Sequence, residues 1–141
     1  MSTVSTACSD DLNIMAKTEI KHPDKAVSTG AYSAGIVMDG WLFVSGHAGQ
    51  DLTTGNPVPG GVAEQTRAAL THVGKILAGA GAGFADVAKS TCHLARIEDF
   101  DKFNAVYSEF FPPPLPARTT VQSGLPPGLL VEIDVIARLP R

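Results

Sequence analysis

The sequence predicts an α+β sandwich: a mostly antiparallel sheet with two helices on one face, in the order β-β-β-α-β-α-β-β. Three observations carry that expectation. Two segments place apolar residues three and four apart, the period of an amphipathic helix. Five or six short runs are β-branched or alternate with period two. Between the second and third of these stands Asp39-Gly40, a strong hairpin signal, because a type I′ turn needs positive φ at both central residues.

The elements follow in order. Residues 18–21 form a short strand that His22 and Pro23 end. Residues 32–38 and 41–45 form the two strands flanking the hairpin turn. Residues 51–61 are a loop, with turn chemistry in Thr-Gly-Asn-Pro (54–57) and Pro-Gly-Gly (59–61). The helix over 62–80 aligns Val62, Thr66, Ala69, Leu70, Val73, Ile76, Leu77 and Ala80, and Gly79, Gly81 and Gly83 end it. A β-rich run covers 87–94. The second helix, over 98–111, aligns Phe100, Phe103, Val106, Tyr107, Phe110 and Phe111 before three prolines stop it. Residues 118–122 are β-branched. Residues 129–137 alternate, with Val131, Ile133, Val135 and Ala137 on one face and Leu130, Glu132, Asp134 and Ile136 on the other.

Composition bounds what this domain can do. The chain has 141 residues, 44% hydrophobic and 18% charged, which suits one domain with a real core. Residues 1–16 are polar and read as a flexible tail, without the basic and apolar regions of a secretory signal; Met15 is an alternative start. Residues 17–141 form the domain, and the cytoplasm is its expected compartment. The longest uncharged runs, 26–38 and 119–131, fall short of the ~18 residues a membrane span needs. A net charge of −3 with no Lys/Arg block argues against nucleic acid as a partner. Cys8 and Cys92 do not make a disulfide scaffold. The mean hydropathy of +0.11 is high for a small chain. Helices cover one sheet face and nothing in the sequence remains for the second, so other subunits are expected to cover it.

Several residues are candidates for chemistry, each with a plainer reading beside it. Arg118 follows the proline-rich run 112–116 and has no acid beside it in sequence; it suits bidentate capture of a carboxylate, or it is a strand-end surface residue. Glu132 stands mid-strand between Val131 and Ile133, as a general base or as a solvent-facing residue. Asp134 shares its face and is the more dispensable of the two. Ser45 and Gly46, followed by His47, end a strand and can present a hydroxyl and an open N–H, or form an ordinary turn. Tyr32 offers a phenol to a ligand, or a ring edge to the core. The Asn104 amide bonds backbone or, as second choice, a ligand. His22, His47, His72 and His93 lack metal-ligand spacing, so no metal is expected. Cys92 and His93, adjacent on a strand, point to opposite faces. No Gly-x-Ser-x-Gly elbow supports a serine hydrolase. Gly-Ala-Gly-Ala-Gly at 79–83 follows a helix rather than a strand, so it is a helix end and not a dinucleotide loop.

Together these stretches resemble the Rid/YjgF family, the reactive-intermediate deaminases also called the liver perchloric-acid-soluble protein family. The strongest block is Pro-Ala-Arg-Thr-Thr-Val at 116–121, Gly-Leu-Pro-Pro-Gly at 124–128 and Val-Glu-Ile-Asp-Val-Ile-Ala at 131–137. A second runs from Phe100 to Phe111, with Asn104 and Tyr107 before the Phe-Phe pair. A third joins Gly-Ala-Tyr-Ser at 30–33, Leu-Phe-Val-Ser-Gly at 42–46 and Asp-Leu-Thr-Thr-Gly-Asn at 51–56. The resemblance covers residues 20–139. It implies a chorismate-mutase-like fold and a homotrimer with clefts between subunits. It implies that Arg118 binds the carboxylate of a 2-imino or 2-enamino acid and that Glu132 positions or activates water. Tyr32 and Ser45 line the pocket, and the products are a 2-oxo acid and ammonia. No metal, cofactor or covalent nucleophile is required, because an imine carbon is already electrophilic.

The sequence departs from the family pattern at His47, where many members have Gln, at Ala31 for Pro, at Ala34 for Gln, and at Thr120 where Cys or Ser is common. The leading expectation is an imine/enamine deaminase with Arg118 and Glu132 catalytic and Tyr32, Ser45, Gly46, Thr120 and Asn104 in the pocket. The alternatives are a trimer that binds 2-oxo acids without turnover, a specialised aminoacrylate- or aminomuconate-type hydrolase kept open by His47, and, last, an endoribonuclease.

Overall fold

The computed structural model describes residues 16–25 and 30–141, so the expected tail lies almost wholly outside the described residues. Six strands form one sheet in the order β1-β2-β3-β6-β4-β5. They are β1 (Thr18–Ile20), β2 (Gly35–Met38), β3 (Trp41–Ala48), β4 (Val87–Leu94), β5 (Ala117–Gln122) and β6 (Val131–Arg138). All neighbours pair antiparallel except β4 and β5. The helices are α1 (Val62–Gly79) and α2 (Phe100–Tyr107). The α+β class and the element order match the sequence prediction. The parallel pair arises because β4 and β5 are joined through α2, a crossover that returns the chain in the same direction.

The hairpin turn is as the Asp-Gly pair requires, with φ of 54° at Asp39 and 78° at Gly40. Helix α1 buries the predicted stripe, Val62 through Leu77, and adds Gln65. Its end is closed by bonds from the Ala82 and Gly81 N–H groups to the Leu77 and Ala78 carbonyls, the Schellman pattern. Against α1 and α2 the sheet lays Leu42, Val44, Cys92, Leu94 and the alternating Val131, Ile133, Val135 and Ala137, all nearly inaccessible. The other sheet face carries no helix. Met38 and Phe43 stay 44% exposed there, and Val121 40%.

Several boundaries move. Strand β2 starts at Gly35 rather than residue 32, because residues 30–34 bend away from the sheet. Strand β3 continues past residue 45 to Ala48, so Ser45 and Gly46 do not end it; they sit in a bulge between Val44 and His47. A single 3₁₀ turn (Ile97–Asp99) precedes α2, which stops at Tyr107 rather than 111. Bonds from Glu109 to Val106 and Phe110 to Tyr107 tighten the chain there, and Pro112 disfavours the helical region for Phe111. Phe110 and Phe111 still pack edge-on against Phe84, at 5.5 and 5.2 Å between ring centroids.

Candidate functional site

A small cavity opens where β2 stops short of β3. The β2–β3 pairing ends at Gly35 and Val44, with one more bond from the Ser45 N–H to the Ala34 carbonyl, so the last residues of β3 lack a neighbour on that side. The space has a volume of about 130 Å³ and is lined by Tyr32, Gly46, His47, His22, His72 and Glu132, among others. Glu132 lies against the bulge. A Cβ at Gly46 would fall 2.9 Å from its Cδ, so only glycine lets the carboxylate pack there. Tyr32 is 57% exposed, at the mouth. Ser45 does not line the cavity; its hydroxyl donates to the Ser33 carbonyl at 2.6 Å and holds the preceding turn.

The bulge also turns His47 toward α1. His47 is paired with Ile133, a core residue, and its ring centroid lies 6.2 Å from those of both His22 and His72. His22 Nε2 meets His72 Nδ1 at 3.1 Å. Burial pushes the His47 imidazole down to about 4, partly offset by its bond to the Ser45 carbonyl. Burial also lowers His22, helped by the nearby His72. Nothing in the sequence announces this cluster, because His22 and His72 are 50 residues apart and meet only through the fold.

Arg118 belongs to a separate constellation on edge strand β5. In register, Arg118 faces Ser90 and Thr120 faces Cys92, so both point to the helix side. The guanidinium sits over the Tyr107 ring at 4.7 Å, with Phe100 and Phe103 at 5.5 and 5.7 Å. Its Nη1 donates to Asn104 Oδ1 at 2.7 Å. No acidic side chain pairs with it among the described residues. Beside it, Thr120 Oγ1 is sealed from solvent without a hydrogen-bond partner. Asn104 thus bonds a side chain rather than backbone.

The two constellations do not meet within one chain. Glu132 pairs with His93 and Asp134 with Thr91, on the open sheet face, while Arg118 and Thr120 lie on the helix face. Strand β4 separates β5 from β6, a span of about 10 Å. Asp134 lies 3.6 Å from His93 and outside the cavity lining. His93 and Cys92 do point to opposite faces. Cys92 is buried, and burial pushes its thiol up to about 11.

Comparison with known proteins gives a consistent set of likenesses. The family model described as Endoribonuclease L-PSP matches residues 23–139. The chain is 45% identical over 109 residues to the 2-iminobutanoate/2-iminopropanoate deaminase of Bos taurus, covering 77% of this chain and 80% of that one. The Homo sapiens protein of the same name is 40% identical over the same length and coverage. Among solved structures, YyfA of Yersinia pestis, described as a protein of unknown function of the conserved Rid family, superposes with a TM-score of 0.82 at 33% identity, over 88% of this chain and all of that one. The E. coli TdcF structure with bound serine gives 0.79 at 29% identity, over 87% of this chain and 99% of that one.

Proposed function

From the premise that this chain belongs to the endoribonuclease L-PSP family, also called Rid/YjgF, we propose that it is a hydrolytic deaminase of 2-imino and 2-enamino acids. The observation that carries this reading is the state of Arg118. It is held in place by Asn104 and three aromatic rings and is left without an acid, a fork prepared for a carboxylate from outside the chain. The related TdcF structure holds serine, a small carboxylate of the size of the proposed substrates.

In this mechanism Arg118 binds the substrate carboxylate. Glu132 takes a proton from a water as its oxygen attacks the electrophilic C=N carbon. Glu132 passes that proton to nitrogen, giving a carbinolamine. The carbinolamine hydroxyl proton then moves to nitrogen by way of the same carboxylate, the C–N bond breaks, and a 2-oxo acid and ammonia leave. A positioned base contributes roughly 10²–10⁴-fold, which suits a substrate that already hydrolyses unaided. Arg118 and Glu132 lie on opposite sheet faces, so one substrate reaches both only where two chains meet. A homotrimer with its clefts between subunits meets that requirement, and it covers the face where Met38 and Phe43 are exposed. Tyr32, Gly46 and Thr120 complete the pocket.

The test supplies 2-iminobutanoate or 2-iminopropanoate, generated in place by an amino acid oxidase. Faster loss of imine than in buffer, abolished by Arg118→Ala, is the expected result. Saturable 2-oxo acid binding with no acceleration would replace the enzyme with a binding protein. The net charge of −3 gives no support for RNA as the substrate.

A further inference from the structure

The mechanism leaves the three imidazoles of the cavity wall unused. Their hydrogen bonds decide which nitrogens remain available. His22 Nδ1 accepts from the Asp24 N–H at 3.0 Å, so its proton sits on Nε2 and is donated to His72 Nδ1 at 3.1 Å. His72 then carries its own proton on Nε2, which donates to the Gln50 carbonyl at 2.8 Å. His47 donates from Nδ1 to the Ser45 carbonyl at 2.7 Å. Five of the six ring nitrogens are therefore engaged. His47 Nε2 is left without a protein partner among the described residues, and in the neutral ring it is a bare lone pair. Burial keeps the ring neutral at pH 7.

We propose that His47 Nε2 is a specificity-determining hydrogen-bond acceptor for the substrate side chain, selecting 2-imino acids that carry a hydroxyl or amide donor over aliphatic ones of the same size. The inference rests on the deaminase reading above and assigns the substrate class of that site. Its physical basis is the exchange of partners on binding. A substrate that fills a cavity of this size excludes solvent from Nε2. A side-chain hydroxyl then donates to Nε2, and a methyl group leaves the acceptor unpaired. His22 and His72 cannot substitute, since both of their nitrogens are occupied. Glu132 is the other acceptor of the lining that the chemistry needs, and its carboxylate is committed to water.

The experiment compares two nearly isosteric substrates, the imines of homoserine and norvaline, released by an amino acid oxidase. The expected kcat/KM ratio favours the hydroxylated imine by about 5- to 10-fold in the parent protein. It falls below about twofold in His47→Leu, and His47→Gln, whose amide oxygen is also an acceptor, keeps a ratio above about threefold. A parent ratio near one, or a ratio unchanged in His47→Leu, overturns the proposal. Should His47→Leu fail to fold, a His47→Gln ratio near one overturns it equally. If neither imine is turned over, the deaminase reading fails on its own. Selectivity is then read from calorimetric binding of the two matching 2-oxo acids, where equal affinities overturn it and a His47-dependent preference for the hydroxylated acid upholds it.

Discussion

Replacing Asn104 by alanine tests whether this residue acts through Arg118. The bond between Arg118 Nη1 and Asn104 Oδ1, 2.7 Å and part-buried, aims one arm of the fork. The Tyr107 ring at 4.7 Å still supports the guanidinium plane when that bond is lost. Asn104→Ala should therefore cost about 1 kcal/mol, roughly a fivefold drop in kcat/KM for 2-iminobutanoate. Arg118→Ala removes a charge-assisted grip worth about 1.5–3 kcal/mol, roughly a 10- to 150-fold drop. In the Arg118→Ala background, Asn104→Ala should change nothing further, so the coupling energy equals the whole Asn104 effect. Arg118→Lys keeps the charge without the planar fork and should fall between the parent and Arg118→Ala. Each variant is read by trapping residual imine with semicarbazide while an amino acid oxidase supplies it. Additive losses in the double variant would show that Asn104 works independently of Arg118. An Arg118→Ala protein within twofold of the parent would remove the carboxylate grip from the mechanism.

Further outcomes follow from other parts of the structure. The His47 imidazole has a folded pKa near 4 against an ordinary 6.5, so between those values the unfolded chain binds more protons than the folded one. Stability is thus full above pH 6.5 and declines toward pH 4, by at most on the order of 3 kcal/mol from this group. Urea midpoints at pH 7 and 4.5 should converge in His47→Gln, and a slope identical to the parent's would exclude this origin. Cys92, fully buried with its thiol raised to about 11, should stay unlabelled by iodoacetamide in the native protein and react on unfolding, as peptide mapping would show. Gly49→Ala places a Cβ 2.5 Å from both the Cα and the carbonyl oxygen of Gln65, so it should cost about 1–3 kcal/mol and lower Tm by several degrees; an unchanged Tm would mean that α1 shifts freely. The buried Ser90–Tyr107 hydroxyl pair, 2.6 Å apart, predicts that Ser90→Ala with Tyr107→Phe is less destabilised in urea than the two single losses summed.

Much of the fold was legible because local chemistry and burial agree. The α1 stripe, the Asp39-Gly40 turn and the alternation of β6 each encode their own geometry. Gln65 was not legible as a buried residue. Its amide spans from α1 to the Gly128 carbonyl and the Leu130 N–H, a pairing more than sixty residues away. The early end of α2 and the bulge at Gly46 escaped for related reasons. One depends on how Pro112 constrains its neighbour, the other on the carboxylate of a strand still to come. Within the candidate site, Arg118, Glu132 and Asn104 stood out as polar residues in apolar or β-branched surroundings. That Arg118 and Glu132 occupy opposite faces depends on the registers in which β5 and β6 pair with β4, which place Arg118 beside Ser90 and Glu132 beside His93 and which the β5 sequence alone does not record. The histidine cluster likewise depends on the assembled fold.

Dividing the reactive groups between the two surfaces of a thin sheet has a genetic corollary. In the proposed trimer, two crippled alleles, one lacking the guanidinium and one lacking the carboxylate, would rescue each other when co-expressed. A mixed ring sets the intact arginine of one chain against the intact glutamate of the next. Its third chain then carries one of the two lesions, so each hybrid ring keeps a single working centre out of a possible three. Dilution would have the opposite effect, since a chain that parts from its neighbours takes only half a centre with it.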